Sequence, residues 1–91
     1  MALLDLLGRR WSLRALWELR DGQRLTFREL QERCGGISSS VLAERLRELR
    51  EAGIVAAEEG YRLTPEGERL LAALAPLSAW AARWAKRVTA P

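Results

Sequence analysis

TFRELQERCGGISSSVLAERLRELREAGIVAAEEGYRLTPEG, residues 26–67, is the stretch that decides the fold. Thr26 and Glu29 stand in the T-x-x-E spacing of a capping box, in which each side chain satisfies a backbone N–H left free at a helix start. Phe27 and Leu30 give that helix an inward stripe, and Gly35-Gly36 stops it, because glycine turns left-handed without a steric penalty. Ser38 is the next N-cap. Behind it Leu42, Leu46 and Leu49 repeat at i, i+4 and i+7, one apolar face of a helix over about 38–52. Ala52-Gly53 closes it.

After Gly53 the period changes. Residues 54–57 and 61–63 read as short strands about a Glu59-Gly60 turn, a hairpin of the size of a stunted wing. Thr64-Pro65 then opens another helix, with Thr as N-cap and Pro at the first helical position. Two helices joined by a tight Gly turn, then a hairpin and a Thr-Pro helix start, predict a mainly α winged helix-turn-helix.

Outward from this centre, Leu3, Leu4, Leu6 and Leu7 suggest a first helix ended by Gly8. Ser12 is read as the N-cap of a second, with Leu13, Leu16, Trp17 and Leu19 on its face up to Asp21-Gly22. The two can equally be one bent helix. The last helix runs to about Val88, and Leu70, Leu74, Leu77, Ala81, Trp84 and Val88 form a heptad-like seam. Pro76 lies within it, so a kink or break is expected near Ala75. No linker or repeat interrupts the 91 residues, which read as one domain with terminal helices at about 2–20 and 65–88.

Fourteen of the fifteen basic residues are Arg, whose planar fork suits phosphates and base edges, although the net charge is only +3. Genomic bias accounts for an Arg-, Ala- and Leu-rich chain equally well. On the outer side of the 38–52 helix, Ser38, Ser39, Ser40, Ala43 and Arg47 are candidates to face a DNA groove. Thr26, Arg28, Arg45, Arg50 and Arg62 are candidates for phosphate contacts. The competing reading pairs Arg45, Arg47 and Arg50 with Glu44, Glu48 and Glu51 on a solvated helix.

Near the Gly35-Gly36 turn sits Cys34, the single cysteine and the one candidate redox group. It excludes an internal disulfide, and its place at a helix C-terminus disfavours a thiolate. Trp11, Trp17, Trp80 and Trp84 are read as core and dimer packing, or else as a pocket for an aromatic effector. The absence of His leaves no metal site and no cofactor expected, and no nucleophile elbow or phosphate loop suggests an enzyme. Asp5 interrupts the short N-terminal apolar run, and nothing reaches the ~20 apolar residues of a span, so a cytoplasmic location without membrane contact is expected.

Leu6-Leu7-Gly8-Arg9-Arg10-Trp11-Ser12-Leu13, Phe27-Arg28-Glu29-Leu30, Gly36-Ile37-Ser38 and Val41-Leu42-x-x-Arg45-Leu46-Arg47-Glu48-Leu49 together resemble the HxlR-type regulators. Tyr61-x-Leu63-Thr64-Pro65-x-Gly67 and Trp80 fit the same pattern, and the Leu-Thr-Pro-x-Gly part is similar also to MarR and PadR types. The resemblance implies a homodimeric repressor or activator of transcription on double-stranded DNA, joined through its terminal helices, with the Ser38 helix in the major groove. Three features depart from that pattern. The wing is short, about 55–62, with an acidic Glu58-Glu59 tip; the cysteine common ahead of the first helix in oxidant-sensing members is missing; and Pro76 lies in the expected dimer helix. The alternatives are a protein–protein module without DNA binding, suggested by the acidic tip and modest charge, and a regulator that senses an effector of unknown identity through its Trp residues.

Overall fold

The structure is a computed structural model and describes residues 2–89. In chain order the elements are α1 (Ala2–Leu7), α2 (Ser12–Glu18), α3 (Phe27–Arg33), α4 (Ser39–Glu51), β1 (Val55–Ala57), β2 (Tyr61–Leu63) and α5 (Pro65–Thr89). The mainly helical fold with one small hairpin is the winged helix-turn-helix that the 26–67 stretch predicts.

Local chemistry sets the helix starts. The Thr26 Oγ1 accepts from the Glu29 N–H at 3.1 Å, and Glu29 accepts from the Thr26 N–H at 2.9 Å, the complete capping box. The Thr26 backbone N–H first, and its hydroxyl second, hold the Glu29 carboxyl below the ordinary range. At α4 the Ser38 Oγ accepts from the Val41 N–H at 3.3 Å. Between the two helices, Gly35 and Gly36 take φ of 75° and 77°, which reverses the chain in two residues.

Two places differ from the sequence reading, one a helix start and one a helix interior. Ser12 is not the N-cap of α2. Trp11 holds that position in the left-handed region, at φ 79°, and its carbonyl accepts from the Ala15 N–H. Ser12 lies inside the first turn, fully buried, with its Oγ unpartnered. The turn after α1 causes this: Gly8 N–H bonds the Leu4 carbonyl and Ser12 N–H the Arg9 carbonyl, separating α1 from α2. The second difference is Pro76, where no break occurs and α5 runs through it. Pro76 and Ala72, whose carbonyl loses its helical partner, both lie on an exposed side, where that carbonyl stays open to solvent.

Leu42, Leu46 and Leu49 meet Leu16 and Leu19 of the α2 segment, Leu30 and Cys34 of α3, and Ile54, Val55 and Leu63 of the hairpin in one core. The hairpin pairs Val55 with Leu63, Ala56 with Arg62 and Ala57 with Tyr61. Leu25 adds an isolated bridge on the other edge of β2, exchanging both backbone hydrogen bonds with Tyr61 at 3.0 and 2.7 Å, and so ties the wing to the approach into α3.

The Thr64-Pro65-x-Gly67 corner seats α5. The Thr64 Oγ1 donates to the Gly53 carbonyl at 2.6 Å and accepts from the Gly67 N–H at 3.0 Å. Beyond this corner α5 leaves the body: the molecule measures 46 × 27 × 26 Å, and 25 helical residues span about 37 Å. Its seam changes character on the way. Leu70 and Leu74 are half-buried, whereas Leu77, Trp84 and Val88 are more than half exposed.

Candidate nucleic-acid interface

Opposite the three core leucines, helical geometry places Ser40, Glu44, Arg47 and Glu51 in one outward stripe, with Ala43 and Arg50 flanking it. Ser40, Ala43, Arg47 and Arg50 are exposed. On this side the first turn carries the small, polar Ser39 and Ser40, with the exposed Val41 beside them. Ser38 is occupied as the cap, and its Oγ lies 3.4 Å from that of Ser40. Ser39 accepts from Gln31 Nε2 at 3.0 Å, and the same amide donates to the Ile37 carbonyl at 2.8 Å. Gln31 thus fixes α3 to the start of α4. Nothing in the local pattern of Gln31 signals this role, because the contact spans the turn.

Arg47 is held at both ends. Its Nε donates to Glu44 Oε2 at 3.1 Å, its Nη2 bonds the other Glu44 oxygen, and its Nη1 donates to Glu51 Oε1 at 2.8 Å. These bonds keep Arg47 charged well above any working pH. The Arg47 hydrogen bond first, with the nearby Arg charges, lowers the Glu44 carboxyl. Arg45 sits differently: its side chain is only 16% exposed, 3.0 Å from Glu48, and Arg9 reaches the same carboxylate at 2.9 Å from the α1–α2 turn. Arg45 therefore belongs to a half-buried ion cluster behind the stripe. Arg50 lines a cleft with Arg47, Glu51 and β1.

Around α4, Thr26 is engaged in its cap, and Arg28 is exposed at 3.5 Å from Glu32. Arg62 lies 3.5 Å from Glu58. The wing tip carries a second basic partner that sequence reasoning missed: Arg24 donates to the Glu58 carbonyl at 3.3 Å and lies 3.8 Å from Glu59. The acidic tip is thus offset by two arginines, one of them from 34 positions upstream.

The four tryptophans do not gather in one pocket. Trp17, with Arg20 over its ring at 4.2 Å, lines an open groove of about 740 Å³ with Leu71, Leu74 and Ser78 of α5. Trp80 and Trp84 stack on each other at 6.0 Å farther along α5, beside Arg83 and Arg87. Trp11 is half-buried elsewhere, near Arg10. Cys34 is buried and free. Burial pushes its thiol above the ordinary range, Arg14 opposing and Glu18 adding to the effect, so it is poorly disposed to ionise. Among the described residues no group of His, Cys, Asp or Glu stands ready to hold a metal ion, and no helix is long and apolar enough to cross a membrane.

A capped helix pair joined by a tight turn, a two-stranded wing and an exposed, small-residue outer face define a winged helix-turn-helix protein of the DNA-binding class. Residues 6–89 match the family model for the HxlR-like helix-turn-helix, and the chain belongs to that family. It is similar to the uncharacterized HTH-type transcriptional regulator YvaP of Bacillus subtilis, 32% identical over 89% of this chain and 82% of that one. Its fold superposes on the quinone-bound crystal structure of YodB from B. subtilis with a TM-score of 0.81, at 37% identity over 90% of this chain and 92% of that one. A possible HxlR family transcriptional factor from Thermoplasma volcanium gives 0.79 at 27% identity, over 92% and 82% of the two chains. The chain is an HTH-type transcriptional regulator, and its relatives are regulators rather than enzymes.

Proposed function

We propose that the protein is a sequence-specific DNA-binding regulator of transcription that acts as a homodimer with α4 in the major groove. One observation carries this reading: α4 is locked from behind by three fully buried leucines, while its outer face offers Ser40 and Ala43 near the capped N-terminus and Arg47 one turn farther on. Ser38 and Ser39 border the groove-facing residues, and Thr26, Arg28, Arg50 and Arg62 would supply phosphate contacts around them. Arg45 reaches a phosphate only by leaving Glu48. The homodimer reading rests on the exposed apolar surface of the terminal helices: Leu3, Leu4, Leu13 and Trp17 near the body, and Leu77, Trp80, Trp84 and Val88 along α5. A second copy would bury both and set two α4 helices at a fixed spacing.

A second reading keeps DNA binding and adds a small-molecule effector, supported by the groove between Trp17 and α5. YodB has been crystallised with a quinone. In this chain a covalent electrophile sensor gains nothing from the buried Cys34 thiol, so an effector would bind non-covalently.

The test is binding to duplexes selected from a random pool, followed as salt is raised. We expect the logarithm of the binding constant to fall linearly with the logarithm of salt, by about 0.9 for each phosphate neutralised. Arg47→Ala should cost about 1–3 kcal/mol and relax one operator position. Absence of binding even to random duplex at low salt would contradict the proposal and favour a protein–protein module.

A further inference from the structure

The Arg47 arrangement constrains how that residue meets DNA. An arginine side chain has five N–H donors. Glu44 takes the Nε donor and one from Nη2, and Glu51 takes one from Nη1. One donor on each terminal nitrogen is left, and such a pair matches the O6 and N7 acceptors of guanine. Both carboxylates belong to the same outward stripe, one helical turn before and after Arg47, so they come up to the DNA with it. A phosphate approaching Arg47 from the side meets a carboxylate first.

We propose that Glu44 and Glu51 are specificity-determining positioning residues, which hold Arg47 by its sides for a guanine edge and keep it from generic phosphate contact. The inference rests on the reading of α4 as the groove-entering helix. It gives the charge-balanced face a purpose: the carboxylates lower non-specific attraction, and a preorganised guanidinium loses little freedom when it docks. Sequence spacing alone offers Glu44 and Glu51 as ion-pair partners on a solvated helix. Their two-sided grip makes them part of the reading apparatus.

The test compares the 91-residue chain with its E44Q/E51Q double variant, which keeps side-chain size and removes both charges. Both are measured on a selected duplex and on a shuffled duplex of equal length, over a range of salt. Glu44 is half-buried and Glu51 exposed, and neither enters the core, so the far-UV circular dichroism should be unchanged and the melt should move by only a few degrees. On shuffled DNA we expect the double variant to bind about three- to tenfold tighter, with a salt slope steeper by about 0.9 per chain as Arg47 turns to phosphate. The ratio of selected to shuffled affinity should fall about tenfold, and pools selected by the variant should lose one fixed guanine. An unchanged slope and ratio would overturn the proposal, and so would a parallel gain on both duplexes, which marks a net-charge effect alone. If the wild-type protein selects no sequence and shows no salt-dependent binding, the DNA reading itself fails and the clamp falls with it.

Discussion

Leu46→Ala should lower the melting temperature by about 8–40 °C in a circular dichroism melt at fixed protein concentration. Leu46 is fully buried between Leu42 and Leu49, where α4 packs on α2 and β1. Removing a buried leucine side chain costs about 2–5 kcal/mol, the transfer term plus the cavity left behind. A chain of this size has only about 5–14 kcal/mol in total, and each 1 kcal/mol is worth about 4–8 °C. Arg47→Ala, one residue on but pointing outward, should move the melt by only a few degrees. The contrast separates the two faces of α4 by stability alone. A loss below about 1 kcal/mol for Leu46→Ala would mean that this face is not the core.

Gly67→Ala should also destabilise the protein strongly, which reverses the usual sign. In a helix interior alanine is ordinarily better than glycine by about 1 kcal/mol. Here a Cβ on Gly67 would lie 2.2 Å from the Ile54 carbonyl oxygen and 3.1 Å from its carbon, backbone atoms with little room to move. That carbonyl also accepts from the Thr64 N–H, so yielding would disturb the corner that seats α5. Forcing in the methyl should cost about 1–3 kcal/mol, and Gly67→Val more. Chemical denaturation of both variants, with exposed Ser78→Ala as a control near zero, checks this. A Gly67→Ala protein as stable as wild type would show that α5 does not sit this close to Ile54.

What was legible in the sequence follows from how local each signal is. The Thr26–Glu29 box, the Ser38 cap and the Leu42, Leu46 and Leu49 face each depend on residues within two turns of one another, and they stand as read. Ser12 failed as a cap because the turn from Gly8 to Trp11 decides where α2 begins, and Trp11 has no cap side chain to announce it. Pro76 suggested a break, but the cost of a proline depends on whether the freed carbonyl reaches solvent, which is a tertiary fact. The reach of Arg24 to the wing tip, the Leu25–Tyr61 rung and the closeness of Gly67 to Ile54 join distant positions and leave no trace in local spacing. Arg47 stood between two readings, a base reader or a partner of Glu44 and Glu51. The structure supplies the pairing, and it leaves open donors on Arg47 that a base-reading role would need.

Mapping backbone amide shifts as a selected duplex is added tests the placement of the outer face of α4 against DNA. The largest changes should fall on residues 38–51, with smaller ones near Thr26, Arg28 and Arg62, and residues 70–88 of α5 should be little affected. Changes centred instead on α5 and the Trp17 groove, with α4 unmoved, would contradict it.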